Sequence, residues 1–228
     1  MSSPRSEFLA GIRAELPLLL GVTPFGLIYG TLALQAGIPA APALAMSSLV
    51  LAGSAQFVAT QLFSAGAPAA VILFTTLVVN LRHLLYSASM APHLRPLRPI
   101  WKWLLAYLLT DEAYAVTITH YGSRDHTSTA HKHWYGLGAG LALWSTWQTS
   151  TAAGIFLGAQ IPPVWQLDFA LPLTFLALLR ASLTDRPAVA AAVAAGVTAV
   201  LAASLPFRVG LVLAALVGMA VGLWAERR

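Results

Sequence analysis

Cysteine is absent from the 228 residues, which excludes disulfides and thiolate metal sites and leaves the redox compartment open. Charge is scarce: Asp, Glu, Lys and Arg make up 9% of the chain against 58% hydrophobic residues, with a mean hydropathy of +0.74. Ordinary globular chains are about a quarter charged. Between Glu15 and Arg82, over residues 16–81, no formal charge occurs at all. A soluble domain cannot hide so long an uncharged run, because much of any folded surface must meet water. A bilayer can, since about 20 apolar residues cross one hydrocarbon core. The chain reads as an integral membrane protein.

Other absences narrow the function. The net charge is +5 and the pI near 10.0, but the basic residues sit singly in short loops. No basic stripe exists to neutralise consecutive phosphates, so nucleic acid is not an expected partner. These residues record orientation instead, since cytoplasmic loops accumulate Lys and Arg. No Walker-type glycine loop is present, so this chain does not hydrolyse ATP, and no cofactor is expected. His120, His126, His131 and His133 match no zinc template, and Asp125 is the one carboxylate near them. They read as a solvated external loop, with no metal. Arg5 and Arg13 ahead of an apolar run imitate a signal peptide. That run extends to Ala36 and equally apolar segments follow, which favours a retained first helix.

Breaks at Pro, Gly and charge clusters divide the chain into apolar segments at 16–36, 41–64, 68–91, 101–121, 137–159, 168–181, 187–204 and 207–225. No loop is long enough to fold alone, so 1–228 is one polytopic domain, with possible halves 16–121 and 137–225. Placing Arg5 and Arg13, the central Arg95, Arg98 and Lys102, and the terminal Arg227 and Arg228 in the cytoplasm requires an even number of crossings between clusters. Segment 41–64, interrupted at Gly53-Ser54-Ala55-Gln56, is then the one in the first half that fails to cross. In the second half, Asp168 to Arg180 spans only about 16 Å of helix, against a core of about 30 Å. The expectation is an all-α membrane protein of about six full crossings plus two broken or re-entrant segments. Arg180 and Arg186 fall inside; Arg124, Lys132 and Arg208 fall outside. Three crossings per half is the arrangement of a 3+3 inverted repeat. Leu34 with Ile38-Pro39 echoes Leu157 with Ile161-Pro162; the alternative is that both are ordinary turns and Arg180 snorkels from a full span.

Polar residues left inside the apolar segments carry the function. Thr110-Asp111-Glu112 lies midway along 101–121, and a carboxylate at a helix centre costs about 2.5–3.5 kcal/mol on insertion scales. Such acids mark substrate or proton pathways; the alternative is a structural ion pair. In Asn80-Leu81-Arg82-His83, Arg82 is the partner expected for Asp111 or Glu112 on the next helix, unless it snorkels to the interface. Gly53-Ser54-Ala55-Gln56-Phe57 reads as a broken helix whose freed amides hold a carboxylate, or else as close packing. Thr23-Pro24-Phe25-Gly26 places a proline inside the first segment, a weak signal alone. Ala188 to Val200 reads as tight helix packing. Trp144 and Trp147 with Thr146, Gln148, Thr149 and Ser150 form a stripe that lines a cavity or bonds across helices.

Four stretches in order, Thr23 to Gly30, Gly53 to Phe57, Asn80 to Ser87 and Leu109 to Tyr114, resemble the AzlC-type branched-chain amino-acid permeases. Leu167-Asp168-Phe169-Ala170-Leu171-Pro172 resembles a later family stretch, though the second half matches less sharply. The resemblance implies an exporter subunit for leucine, isoleucine, valine or similar hydrophobic amino acids in a bacterial plasma (inner) membrane. It also implies a small membrane partner of the AzlD type, and functional positions within the matching motifs only: Pro24, Phe25, Gly53, Ser54, Gln56, Asn80, Arg82, His83, Asp111 and Glu112.

A zwitterionic substrate needs an anion site, a cation site and an apolar pocket. Arg82 or the broken-helix amides suit the carboxylate, Asp111 or Glu112 the ammonium, and Phe25, Leu27 and Phe57 the aliphatic side chain. An acid left over can load a proton. The rival readings are a permease or channel for another small solute, or an intramembrane hydrolase pairing Ser54 with His83. No G-x-S-x-G, paired-aspartate or H-E-x-x-H motif supports the hydrolase.

Overall fold

The computed structural model describes residues 3–122, 131–158, 183, 185–205 and 209–226. Every element among them is a helix: α1 (Pro4–Gln35), α2 (Ala40–Val50), α3 (Gly53–Ser64), α4 (Ala69–Asn80), α5 (Arg82–Leu94), α6 (Pro99–Tyr107), α7 (Asp111–Gly122), α8 (Lys132–Leu157), α9 (Arg186–Leu201) and α10 (Val209–Glu226). By length and composition two are long and apolar enough to cross a membrane, Pro4–Gln35 and the nearly continuous Ala69–Leu94. Large apolar side chains stand on the outside, Leu20, Leu49 and Leu201 among them, as lipid-facing surfaces require. The expected segment 168–181 and its Arg180 lie outside the described residues, as do Arg124, His126 and Arg208.

Two compact units form, Met1–Thr60 with Val79–Ile161, and Gln61–Val78 with Pro162–Arg228. The first is built on α1 and α8. Helix α1 starts well before the expected segment, because Ser3 and Ser6 form a reciprocal cap ahead of Pro4. It stays helical through Pro17 and Pro24. Glycines let its backbone touch that of α8: a methyl group at Gly11 meets the Tyr135 carbonyl, at Gly138 the Phe8 carbonyl, at Gly154 the Leu27 carbonyl and at Gly30 the Thr151 carbonyl. Thr31 Oγ1 is 3.2 Å from the Gly154 carbonyl oxygen, to which it donates. Contacts rise together along both helices, so α1 and α8 run parallel. A 3+3 inverted repeat built on 16–36 and 137–159 requires these two segments to run in opposite directions, and the packing corrects that expectation.

The reason lies in α6 and α7. Helix α6 runs with α8: Trp101 meets His133 and Trp134, with ring centroids 4.5 and 4.9 Å apart, and further on Leu108 covers Gly140. Helix α7 then runs back: Thr117 and Tyr121 cover Gly136, and the Tyr121 hydroxyl donates to the Lys132 carbonyl at 2.9 Å. Segment 101–121 is therefore a hairpin turning at Leu108–Thr110, not the single crossing expected. Its sequence carries the signal: Thr110 Oγ accepts from the Ala113 N–H at 3.3 Å, and Asp111 and Glu112 occupy the first turn of α7. A hydroxyl cap followed by acids is a helix start.

A second hairpin enters from the opposite end. Gly37, at φ +87°, reverses the chain after α1, a conformation suited to glycine. Helix α2 then runs against α8, with Ser47 Oγ bonding Thr151 Oγ1 at 3.2 Å and Ser48 Oγ bonding Gln148 Oε1 at 3.0 Å. Leu51 adopts φ 44° and ψ 42°, which for a leucine costs about 1–2 kcal/mol. Helix α3 leaves this turn with Phe57 edge-on to Phe25 and Tyr29, and the Tyr29 hydroxyl donates back to Ala43 in α2. Such irregular backbone is tolerated at membrane depth only when protein covers it; Leu51 and Ala52 are both buried.

One end of this unit gathers the basic residues. His120 meets Glu7, His93 packs on Tyr121, and Trp101 packs on His133. The beginning of α1, with Arg5 and Arg13, thus shares an end with Arg95, Arg98 and Lys102, as the charge rule requires. Lys132 joins them rather than lying opposite, because the α6–α7 hairpin returns the chain to the end it left.

In the second unit, α9 and α10 pack antiparallel. Gly210 faces Ala202, Gly218 faces Ala195 and Ala191, and Gly222 faces Ala191. The alanine-rich stretch of α9 is the close-packing surface its composition predicts.

Candidate functional site

The tips of the two hairpins meet halfway along α8. Tyr107, the last residue of α6, donates from its hydroxyl to the Ser48 carbonyl near the end of α2 at 2.8 Å. The same oxygen accepts from Trp144 Nε1 of α8 at 2.8 Å. The second arms, α3 and α7, both begin here, so two helix N-termini point into the middle of the unit. A helix N-terminus carries about half a positive charge and unbonded amides. That of α7 is offset by Asp111 and Glu112. That of α3 opens on Gly53, Ser54 and Ala55 behind Ala52, which has no side-chain oxygen to cap them.

Arg82 joins the two. Its Nη1 lies 2.8 Å from Asp111 Oδ2 and its Nη2 donates to Ser54 Oγ at 2.6 Å. The planar fork of arginine makes both contacts at once. Arg82 therefore pairs with the acid expected of it and does not snorkel. The pair is not sealed off, since the Arg82 and Asp111 side chains keep 32% and 38% of their surface.

Unspent hydrogen-bonding capacity surrounds this bridge. Asp111 Oδ1, Arg82 Nε, Asn80 Oδ1, Trp147 Nε1 and both amide atoms of Gln56 are buried without a hydrogen-bond partner among the described residues. Tyr29 lies close to Gln56 but gives its hydrogen to Ala43. Gly53 is where the Trp147 indole approaches: a methyl there would sit 2.9 Å from its ring. Tyr29 stacks on Trp147 at 6.1 Å, and Phe25 and Phe57 supply an apolar wall. Buried polar atoms without partners are uncommon, and a cluster of them beside an apolar wall can bind a small molecule bearing both characters.

An apolar cavity of about 290 Å³ leads from the basic end toward the α6–α7 turn. Arg95 and Lys102 line it at one end, and Leu108, Leu109 and Ala113 at the other.

The structure thus brings together Gly53, Ser54, Gln56, Arg82 and Asp111, with Glu112 following on α7. It does not bring in Pro24, which is exposed on α1. His83 Nδ1 contacts the carbonyl of Asn80 at 3.2 Å, and the Ser54 hydroxyl is engaged by Arg82, so the pairing that a hydrolase needs is not formed. Among the described residues no group of His and acids is arranged to hold a metal. Sequence reasoning missed Tyr107, and it used Glu15 only as a boundary. Glu15 is fully enclosed in the structure. A lone acid a few turns inside an otherwise apolar helix was the available signal.

The family model described as AzlC protein matches residues 17–161. The chain is 30% identical to an uncharacterized membrane protein of Archaeoglobus fulgidus, over 97% of each chain. It is 26% identical to the inner membrane protein YgaZ of Escherichia coli, covering 96% of this chain and 92% of that one. It is 27% identical to the branched-chain amino acid transport protein AzlC of Bacillus subtilis, covering 76% and 68%. No solved structure matches. All four sequence stretches that meet at the hairpin tips lie within the matched region, and the chain belongs to the AzlC family.

Proposed function

We propose that this chain is the large subunit of a secondary exporter for branched-chain or similar hydrophobic amino acids. The AzlC family is a membrane transport family, and the Bacillus subtilis relative is named for branched-chain amino acid transport. The observation that carries the reading is the Arg82 bridge between the starts of α3 and α7. A zwitterion can divide that ion pair. Its carboxylate takes the Arg82 guanidinium and the uncapped amides of α3, while its ammonium takes Asp111. Gln56, Asn80 and Trp147 offer further polar contacts, and Phe25 with Phe57 packs the aliphatic side chain. Each partner of the broken salt bridge is thereby replaced by a like charge on the substrate, so no buried charge is stranded.

The basic end, with Arg5, Arg13, Arg95, Arg98, Lys102 and Lys132, faces the cytoplasm by the positive-inside rule, putting both termini there in a bacterial plasma membrane. The cavity between Arg95 and Leu109 is then the cytoplasmic vestibule. Transport takes place with a small membrane subunit of the AzlD type, and a proton gradient drives it. The exposed apolar flanks meet lipid and that subunit.

The test is reconstitution with and without the small subunit, with labelled leucine loaded inside and a pH gradient imposed. Gradient-dependent leucine movement supports the reading. Leucine retained equally by protein-containing and empty vesicles rejects it, and equal transport of unrelated solutes favours a less selective permease or channel.

A further inference from the structure

Helix α1 carries an acid that the substrate site does not use. Glu15 has no exposed surface, and neither carboxylate oxygen has a hydrogen-bond partner among the described residues. It lies where α1 passes the α6–α7 turn. The titratable groups facing it are Glu112 from α7 and Tyr135 from α8. An enclosed carboxylate beside a second acid is costly with both groups ionised, and one shared proton removes the conflict.

Polar groups are spaced between this position and the basic end, with Tyr135 in ring contact with His120 and without a hydrogen bond to Glu15. The Tyr135 ring stacks on His120 with centroids 3.7 Å apart and planes within 1° of each other. His120 Nε2 is 3.1 Å from Glu7 Oε2, and both side chains are about nine-tenths buried. Tyr121 also adjoins His120 and Glu7, and its hydroxyl donates to the Lys132 carbonyl. In the other direction Glu112 adjoins Asp111, which holds Arg82. The order from the basic end is Glu7, His120, Tyr135, Glu15, Glu112.

We propose that Glu15 is the proton-carrying group of the transport cycle, coupled to the substrate site through Glu112 and draining to the basic end through Tyr135, His120 and Glu7. This rests on the exporter reading above. An ammonium that takes the place of the Arg82 guanidinium at Asp111 is a more compact positive charge beside Glu112, and it expels the proton toward Glu15 and the relay. Departure of the amino acid returns Arg82 to Asp111 and leaves Glu15 and Glu112 to share a proton taken from the far side. Only O–H and N–H bonds form and break, and one proton enters for each that leaves. Proton and substrate exclude one another, which is the requirement for antiport. The alternative is an acid held permanently neutral for packing.

Three measurements on the reconstituted complex separate these. Labelled-leucine exchange at equal pH reads the substrate site alone; accumulation along a pH gradient reads coupling; infrared difference spectra between acid and alkaline buffer read the carboxyl proton without any substrate. Glu15→Gln should keep exchange and lose gradient-driven accumulation by at least about tenfold, within the usual span of coupling between sites. It should also remove a pH-dependent protonated-carboxyl band. His120→Gln and Glu7→Gln should slow gradient-driven transport and spare exchange, which decides the matter even if Glu15→Gln does not insert. Unchanged accumulation in these variants, or an infrared difference unaffected by Glu15→Gln, overturns the proposal. Absence of leucine exchange in the unaltered protein sinks the exporter reading instead, and the infrared result then judges the proton site on its own.

Discussion

Arg82 holds Asp111 at 2.8 Å while its other terminal nitrogen holds Ser54 at 2.6 Å, so one guanidinium ties the starts of two half-helices that enter from opposite ends. Asp111→Asn keeps the shape of the side chain and removes its charge. Export should fall by about 10- to 100-fold, since a hydrogen bond to a charged group contributes about 1.5–3 kcal/mol. Arg82→Lys should lose as much, because a lysine cannot span Ser54 and Asp111 together. Leucine efflux assays with insertion checked in parallel test both. Normal efflux from Asp111→Asn removes that residue from the mechanism.

Much of this site was legible in the sequence because it consists of polar residues in apolar surroundings. Arg82, Asp111, Ser54 and Gln56 stand out for the cost of placing them in lipid, and their convergence is a sound expectation from that cost alone. The topology was less legible. Thr110-Asp111-Glu112 reads equally as acids within a crossing helix and as a cap with its acidic first turn, and hydropathy does not separate the two. The parallel packing of α1 on α8 rests on Gly11, Gly30, Gly138 and Gly154, and glycines at such spacing say that backbones approach without saying in which direction. Leu51 carries no sequence signal for its left-handed conformation; it and Ala52 are buried at the turn between α2 and α3.

The α1–α8 seam should be the least tolerant part of the molecule. A side chain at Gly154 drives into the Leu27 carbonyl, and one at Gly30 into the Thr151 carbonyl. Gly154→Val should destabilise the fold by about 1–3 kcal/mol or more, because backbone cannot move aside as a flexible side chain can. Gly21 meets nothing within 4 Å, so Gly21→Ala should be neutral or stabilising by up to about 1 kcal/mol through helix propensity. Thermal denaturation in detergent, read by retained monodispersity, should rank the two variants in that order. Equal melting would mean that the seam is looser than its contacts imply.

Tyr107 links the hairpin tips to each other and to α8 through one oxygen. Tyr107→Phe leaves the Ser48 carbonyl and the Trp144 N–H without that partner. The expected loss is about 1–3 kcal/mol, taking each of the two hydrogen bonds at about 0.5–1.5 kcal/mol. If the tips move during transport, leucine exchange should change by more than stability alone predicts. A variant as stable and as active as the parent would show that the tips are held by packing and not by this oxygen.

The absence of cysteine permits a direct test of the hairpin between Pro99 and Gly122. Single substitutions Arg5→Cys, Arg95→Cys, Gly122→Cys and Gln35→Cys fall on exposed positions at the ends of α1, α5 and α7. A crossing helix would put Arg95 and Gly122 on opposite sides of the membrane; a hairpin puts them on the same side. With a membrane-impermeant maleimide, Arg5→Cys, Arg95→Cys and Gly122→Cys should label from one side and Gln35→Cys from the other. The positive-inside rule makes the first side cytoplasmic. The pairing of His120 with Glu7, across 113 residues of chain, fixes the expected answer for Gly122, since a side chain bonded to the start of α1 cannot lie at the end where Gln35 emerges. Labelling of Gly122→Cys together with Gln35→Cys would restore the full crossing and remove α7 from its place beside Glu15.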